Sequence, residues 1–233
     1  MTGIAQPSAE DRDWGGRLPL ASRGPLTEEQ LATQRRMRDE VVPWARQAGA
    51  AAATAEGDLI GPFNAFVHRP ATGAAFLDWV LTDQARSSLT APLREIVILT
   101  VGTAWNCEYE LYVHTAMARH AGVAEPVIEA VLAGRPSADF SSVEAAVHGF
   151  TDELTRTRFV RDDTYRLAVE AVGQTGVLDM VNLIGAYLAT SALLNAFQVP
   201  APPPAEPGRP VPPPRPERGT RADRVRLRAP TRA

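Results

Sequence analysis

Apolar residues through the middle of the chain recur at the three- and four-residue spacing of an α-helix, and Pro, Gly, Ser and Thr interrupt them at helix-length intervals. The segment Thr27–Gln30 has capping-box spacing and predicts a helix that runs towards Ala48. Further helices are predicted after Gly61-Pro62, through 70–87, after Thr90-Ala91-Pro92, through 107–122, after Glu125-Pro126, after Ser141 and from 162 onwards. Only residues 98–101, ILTV, resemble a strand, and they lie between a helix start and more helix. The pattern predicts a single all-α domain.

The last predicted helix contains the longest apolar stretch of the chain, Val177–Phe197. Its 21 residues are long enough to cross a bilayer. Asp179 and Asn182 lie within it, however, and no basic residues flank it to set an orientation. We therefore predict a helix that is buried in the core or between subunits, and no membrane contact.

Both ends of the chain have compositions that disfavour a packed core. Residues 1–25 are rich in Gly, Pro and charge, and residues 200–233 contain eleven Pro and eight Arg with almost no large apolar side chain. Such segments bury too little surface to offset chain entropy. The sequence predicts a flexible segment over 1–25, a helical domain over 26–199 and a disordered tail over 200–233. The tail is expected to be solvated, with docking of a partner as the alternative.

Charge and cysteine content limit the kinds of partner and compartment. A net charge of −3 gives no electrostatic reason to expect nucleic acid or an acidic membrane. The one cysteine, Cys107, excludes an intramolecular disulfide and a cysteine-based zinc site. The first residues, MTGIAQPSAEDRDWGG, lack the apolar core of a signal peptide. These features predict a cytoplasmic protein.

Three residues with reactive side chains fall on one predicted helix. Cys107, Glu110 and His114 are spaced i, i+3 and i+7, which places them on one helical stripe with Glu110 and His114 a single turn apart. A carboxyl group and an imidazole held together in an apolar bundle exchange a proton near neutral pH, as general acid–base catalysis requires. Spacing alone leaves two alternatives open. Glu110 and His114 could form a surface pair that contributes little to stability. They could also be two ligands of a metal site, with Glu95 or His148 as the third. No repeated Glu-x-x-His motif supports the metal site.

The pattern extends upstream, because Glu95, Cys107, Glu110 and His114 together read E-x11-C-x-x-E-x3-H. This closely resembles the signature of the carboxymuconolactone decarboxylase / alkylhydroperoxidase D-like family, whose redox members carry E-x11-C-x-x-C-x3-H. The stretches LIGPFNAFVHRPATG, LREIVILTVG and LLNAFQVP also resemble the family. The resemblance covers roughly Arg17–Pro200.

The resemblance implies proton transfer more than thiol chemistry. In redox members two cysteines form a disulfide, while the Glu and the His relay protons. Cys107 matches the resolving cysteine, Glu95 the relay glutamate and His114 the relay histidine, whereas Glu110 stands where the peroxide-attacking cysteine would be. Without a second thiol the dithiol cycle cannot run. The decarboxylase branch uses neither a cysteine pair nor a cofactor, so the expected catalytic residues are His114, Glu110, Glu95 and Cys107, with no metal.

The resemblance also implies an assembly and a pocket. Family members form helical bundles that assemble, commonly as trimers or hexamers, with active sites near subunit contacts. The helix Val177–Phe197 is therefore expected to join subunits in a homo-oligomer. The expected substrate-binding residues are Tyr109, Trp105, Asn64 and His68.

The sequence leaves three functions open. The favoured one is a cofactor-independent acid–base enzyme that decarboxylates, or moves a proton on, a small carboxylated or lactone-like metabolite. The second is a one-cysteine peroxidase in which Cys107 draws on an external thiol. The third is a non-catalytic oligomeric scaffold with the Pro/Arg-rich tail as its docking arm.

Overall fold

The computed structural model describes residues 14–202, and these form an all-α bundle, which confirms the predicted fold class. A 3₁₀-helix at Ala21–Arg23 precedes nine α-helices within this part of the chain. The helices are α1 (Glu28–Glu40), α2 (Val42–Gln47), α3 (Pro62–His68), α4 (Pro70–Arg86), α5 (Ala91–Trp105), α6 (Glu108–His120), α7 (Glu125–Leu132), α8 (Ser142–Thr157) and α9 (Asp162–Phe197). Between residues 14 and 202 the only β-pairing is an isolated bridge from Ala53 to Leu59.

Local chemistry at the helix ends explains where most elements begin. Thr27 and Ser141 each cap the third amide of their helix and complete a capping box, as the sequence predicted for Thr27. The predicted helix from Thr27 towards Ala48 is instead divided at Val41 into α1 and α2. The reason is Pro43, which has no amide proton to donate and whose ring opposes an unbroken helix.

The segment before α1 is packed against the domain, although its composition predicted flexibility. Leu20 and Ala21 are buried, and the amide of Ala21 donates to Oδ1 of Asn64 at 2.8 Å. The amide of Arg17 donates to the carbonyl of Phe197 at 2.7 Å. Residues 14–25 therefore join the fold through backbone hydrogen bonds, which composition does not reveal. Residues 1–13 and the tail beyond residue 202 lie outside the described residues.

Helix α5 is the central element of the bundle. Every residue from 95 to 103 is buried, including the stretch that resembled a strand. Helices α6, α7, α8 and α9 all pack around it. A helix that is covered on all sides needs no polar face, so its sequence lacks the alternation of an amphipathic helix.

Helix α6 lies between two apolar clusters. Its residues Leu111 and Ala118 join the cluster built on α5, α7, α8 and α9, whereas Val113 and Met117 join a second cluster built on the segment before α1, the helices α1 to α3 and the loop between α2 and α3. His114 belongs to neither cluster and is buried beside the polar residues described below.

Helix α9 contains the long apolar stretch. The helix runs from Asp162 to Phe197 and is kinked at Gly173, where the backbone has a non-helical φ of 71° and ψ of 171°. By length and composition α9 is the one helix between residues 14 and 202 that is able to cross a membrane, a test that the core helix of a soluble protein also passes. It packs against α5 and α8, and residues such as Met180, Leu183 and Ile184 are fully buried there.

The loop before α3 supplies a test of the packing. Gly61 has a φ of +64°, and a Cβ there would lie 2.2 Å from the ring of buried Tyr109. We expect Gly61→Ala to lower the free energy of unfolding by about 2–5 kcal/mol, through backbone strain and the displaced ring together. Gly49→Ala is the matched control, because Gly49 has a φ of +80° with open space around it. Urea unfolding should show the larger loss for Gly61→Ala; equal losses in the two variants would contradict this packing.

Candidate functional site

A buried histidine is held between two buried carboxyl groups at the contact of α5 and α6. Nδ1 of His114 lies 2.8 Å from Oε2 of Glu95 on α5, and its Nε2 lies 3.4 Å from Oε2 of Glu110 on α6. All three side chains are 10 % exposed or less. Because a carboxylate oxygen only accepts, Nδ1 is the protonated nitrogen in the bond to Glu95. The other nitrogen is directed at Glu110.

A tight helical hairpin brings the two helices into this register. Asn106 adopts the left-handed conformation at the end of α5, and the amide of Cys107 donates to the carbonyl of Gly102 at 2.9 Å, as in a Schellman turn. Gly102 also faces α6, where a Cβ would lie 3.1 Å from Leu111 and 3.5 Å from Glu110. The small residue allows the close approach that places Glu95 beside His114.

The pKa values of His114 and Glu110 depend on their neighbours in this arrangement. Burial lowers the pKa of His114, but the charge of Glu95 and its hydrogen bond raise that pKa by more, so the net shift is upwards. Burial raises the pKa of Glu110 to about 7; His114 opposes this shift and Glu95 adds to it. Near neutral pH the site therefore contains a histidine that favours its cationic form and a carboxyl group that is divided between its two forms.

One carboxyl oxygen of Glu110 has no hydrogen-bond partner among residues 14–202. This oxygen, Oε2, is buried, and its 3.4 Å contact with His114 lacks hydrogen-bond geometry. An unpaired buried carboxyl oxygen is unfavourable by itself. Glu110 also lines an open space next to the three side chains.

That space is a cavity of about 690 Å³. Its polar end is lined by Glu95, Glu110, His114 and Arg94. Its other walls are mainly apolar and come from α1 to α6 and α9, with Trp44, Phe63, Phe66, Phe76, Leu77 and Val80 among them. Exposed residues including Glu40, Gln84 and His120 surround its opening. The arrangement offers a proton donor and acceptor at the closed end of an apolar cavity.

Sequence reasoning missed two residues at this end of the cavity. Arg94 donates to Asp83 at 2.8 Å, and this ion pair is largely buried. The ring of Tyr187 stands edge-on to the His114 ring at a centroid distance of 4.9 Å, and burial, then Glu110, raises its pKa well above the ordinary value. Arg94 is adjacent to the signature residue Glu95, which was an available signal. Tyr187 has no such signal, because it lies in the apolar stretch of α9.

Cys107 is a buried residue at the start of α6. It is the N-cap residue, because the helix begins only at Glu108. Its side chain is 1 % exposed, packs in the second apolar cluster and is not among the residues that line the cavity. Burial, then the charge of Glu110, raises the pKa of the thiol to about 12.

Of the expected substrate-binding residues, the structure brings only Tyr109 to the cavity. The hydroxyl of Tyr109 donates to the carbonyl of Ala51 at 2.9 Å, so it is the ring of Tyr109 that lines the cavity. Asn64 and His68 are instead bound to the N-terminal segment, His68 through a 2.8 Å contact with the carbonyl of Pro19. Trp105 is 40 % exposed at the end of α5. These three positions were expected from the family resemblance, which does not show which face is occupied by the segment before α1.

The alternative of a metal site requires a third ligand beside Glu110 and His114. In the part of the chain that the structure describes, no group of three or more His, Cys, Asp or Glu side chains is arranged to hold a metal ion. His148 lies on α8 and packs against the ring of Phe140 at 5.1 Å.

Part of this chain matches a known protein family. Residues 70–153 match the carboxymuconolactone decarboxylase family. The match runs from α4 into α8. Glu95, Glu110 and His114 all lie inside the segment matched to the carboxymuconolactone decarboxylase family. Tyr187 and the cavity walls from α1 to α3 lie outside it.

Solved structures of similar fold come from two bacteria. An uncharacterized peroxidase-related protein from Ralstonia eutropha JMP134, described as an alkylhydroperoxidase AhpD core, superposes with a TM-score of 0.62 and 18 % identity over 77 % of this chain and 92 % of its own. A protein of unknown function from Agrobacterium tumefaciens, with a proposed role as antioxidant defence protein AhpD, superposes with a TM-score of 0.54 and 19 % identity. This second match covers 57 % of the present chain and 92 % of the Agrobacterium protein. These identities show a shared fold alone. Among curated proteins, none matches the chain significantly.

The shifted pKa of Glu110 predicts how stability depends on pH. The folded state retains a proton on Glu110 between about pH 4.5 and pH 7 that the unfolded state releases, so the free energy of unfolding falls as the pH rises through that window. Glu110→Gln removes this contribution, which is no more than about 3 kcal/mol. Urea unfolding between about pH 5 and pH 8 should give a steeper decline for the wild type than for Glu110→Gln. The exposed-site variant Glu56→Gln should keep the wild-type slope; a parallel slope in Glu110→Gln would contradict the prediction.

Proposed function

We propose that this chain is a cofactor-independent acid–base enzyme of the carboxymuconolactone decarboxylase family. It acts on a small-molecule substrate of the carboxylated or lactone-like class by moving a proton at a carbon next to a carbonyl group. The observation that carries the proposal is the buried Glu95–His114–Glu110 arrangement at the closed end of the cavity.

Each of the three residues has a role that its environment supports. The bond from Nδ1 of His114 to Glu95 orients the imidazole and stabilises its cationic form. Nε2–H of His114 is then a donor for a carbonyl oxygen that enters the cavity. Glu110, with a pKa of about 7, accepts a proton from carbon as a carboxylate or delivers one as an acid.

The same groups serve decarboxylation and isomerisation. In decarboxylation, the bond to the leaving carboxylate breaks, its electron pair moves into the conjugated carbonyl, and the resulting enolate oxygen is stabilised by His114. Carbon dioxide leaves, and Glu110 returns a proton to carbon. In isomerisation, Glu110 removes a proton from carbon and redelivers it elsewhere on the same dienolate. Neither path needs a thiol.

A thiol peroxidase is poorly supported by Cys107. Thiolate is the reactive form of cysteine, and a pKa of about 12 leaves almost none of it at neutral pH. The side chain is also buried away from the cavity. The role of Cys107 that these facts favour is packing at the start of α6.

We further propose a homo-oligomer built on the exposed apolar face of α9. Leu178 is 62 % exposed and Val181 44 %, and Trp79 on α4, which is 41 % exposed, lies beside Gly185 of the same helix. Apolar side chains at this exposure on one face favour burial against another subunit. The packing of α9 on α5 and α8 supports a cytoplasmic protein over a membrane-spanning one, and a trimer or a hexamer stays a prediction.

The proposed chemistry predicts a pattern of variant activities. Solvent deuterium exchange at carbon, followed by NMR on a panel of unsaturated lactones and lactone acids, measures proton transfer directly. His114→Asn and Glu110→Gln should each reduce exchange by about 10²-fold or more, and Glu95→Gln should reduce it through a misoriented imidazole. Cys107→Ser is the control and should retain nearly wild-type exchange. Full exchange in His114→Asn, or loss of exchange in Cys107→Ser, would contradict the proposal.

The proposed assembly predicts the effect of charge on α9. Leu178→Lys with Val181→Lys should shift the protein to a smaller species in light scattering coupled to size-exclusion chromatography, because the apolar face then carries two cations. Helical circular dichroism should not change. Gln174→Lys, at an exposed polar position of the same helix, should leave the mass unaltered. A monomeric wild-type protein would refute the assembly.

A further inference from the structure

The cavity extends well beyond the acid–base residues. Its lining includes an apolar arm, defined here as Trp44, Phe63, Phe66, Phe76, Leu77 and Val80. The ring of Phe66 contacts those of Phe63 and Phe76 at centroid distances of 6.2 and 5.3 Å, so the aromatic part of the arm is continuous. Trp44, Phe63 and Phe66 belong to α2 and α3, outside the segment matched to the family, and the other three residues belong to α4, inside it.

The size of the arm bears on the substrate. Since one water-sized group takes up about 30 Å³, a cavity of about 690 Å³ holds on the order of twenty such groups. This lies within the range of pockets that enclose drug-sized ligands. A compact lactone would occupy only the closed end and would leave aromatic walls against water, which is unfavourable. An elongated apolar body would cover them.

The charged groups around His114 limit the charge of the polar group that a substrate can place there. The Arg94 guanidinium is already paired with Asp83, and the His114 imidazole with Glu95. Glu110 is the remaining ionisable group of this cluster, and it is negative or neutral. An incoming carboxylate would add a buried anion beside two carboxyl groups with both cations occupied. A neutral carbonyl oxygen needs only the hydrogen bonds that His114 and protonated Glu110 can donate.

We propose that the substrate of this cavity is an uncharged, elongated and mainly apolar carbonyl compound, such as an alkyl-substituted lactone, with its carbonyl oxygen at His114 and Glu110 and its chain in the apolar arm. The inference rests on the proposed function and narrows it. Within the proposed chemistry it favours proton transfer at carbon over decarboxylation, because the head carries no carboxylate.

Calorimetric titration with alkyl γ-lactones of increasing chain length tests the apolar arm and the neutral head together. The dissociation constant should fall about fourfold for each methylene until the arm is filled. Straight-chain carboxylates of equal carbon number, titrated at about pH 8, should bind at least about tenfold more weakly. A dissociation constant that does not change with chain length, or carboxylates that bind as tightly as lactones, would overturn the inference.

Variants of α4 locate the chain of the ligand. Val80→Trp fills the arm and should abolish the gain from longer chains while short lactones still bind, and Leu81→Phe is a second filling variant should Val80→Trp fold poorly. Thr82→Trp is the matched control, because Thr82 is exposed on the same helix and does not line the cavity. Unchanged chain-length dependence in a folded filling variant would also overturn the inference.

Binding and catalysis are separable in this design. The titrations are repeated on His114→Asn, in which proton transfer is impaired but the apolar arm is intact. Length-dependent binding in both proteins without deuterium exchange in either supports the substrate class and refutes the proposed chemistry alone. Exchange on short lactones without length-dependent binding refutes the substrate class alone.

Discussion

The burial of His114 between Glu95 and Glu110 is the interaction on which the rest of the site depends. An imidazole without a charged partner at this depth would be neutral, because burial disfavours the cation. The bond of 2.8 Å to Glu95 reverses that preference. The cation in turn limits the rise in the pKa of Glu110, which would otherwise be still higher. The contact with Glu95 thus acts on the pKa of His114 directly and on the pKa of Glu110 through the His114 cation.

Such a pair requires close and rigid helices. Helix α5 is buried on every side, and Gly102 lets α6 approach it near Glu110. The left-handed Asn106 closes the hairpin so that Glu95 and His114 face each other. The apolar clusters on either side of α6 keep the side chains of Glu95, Glu110 and His114 at 10 % exposure or less, and this burial strengthens the electrostatic interactions between them.

The cavity is lined both by the segment that matches a known family and by helices outside that segment. The acid–base residues and Arg94 lie within residues 70–153, the part matched to the carboxymuconolactone decarboxylase family. Helices α1 to α3 and the segment before them lie outside it, yet they supply much of the apolar arm and occupy Asn64 and His68. The apolar wall of the cavity therefore comes from both parts of the chain, because Phe76, Leu77 and Val80 of α4 lie inside the matched segment.

The sequence by itself determined the helices and the reactive pair. Capping residues, Pro positions and apolar spacing are local, so they predicted the all-α class, and the i, i+4 spacing of Glu110 and His114 put those side chains one turn apart. The resemblance added Glu95, nineteen residues from His114. Only the tertiary structure decided that Cys107 does not line the cavity, that Tyr187 stands edge-on to His114 and that residues 14–25 are packed against the domain. These outcomes depend on contacts between residues far apart in the chain, and no local pattern records which helix face a distant segment will cover.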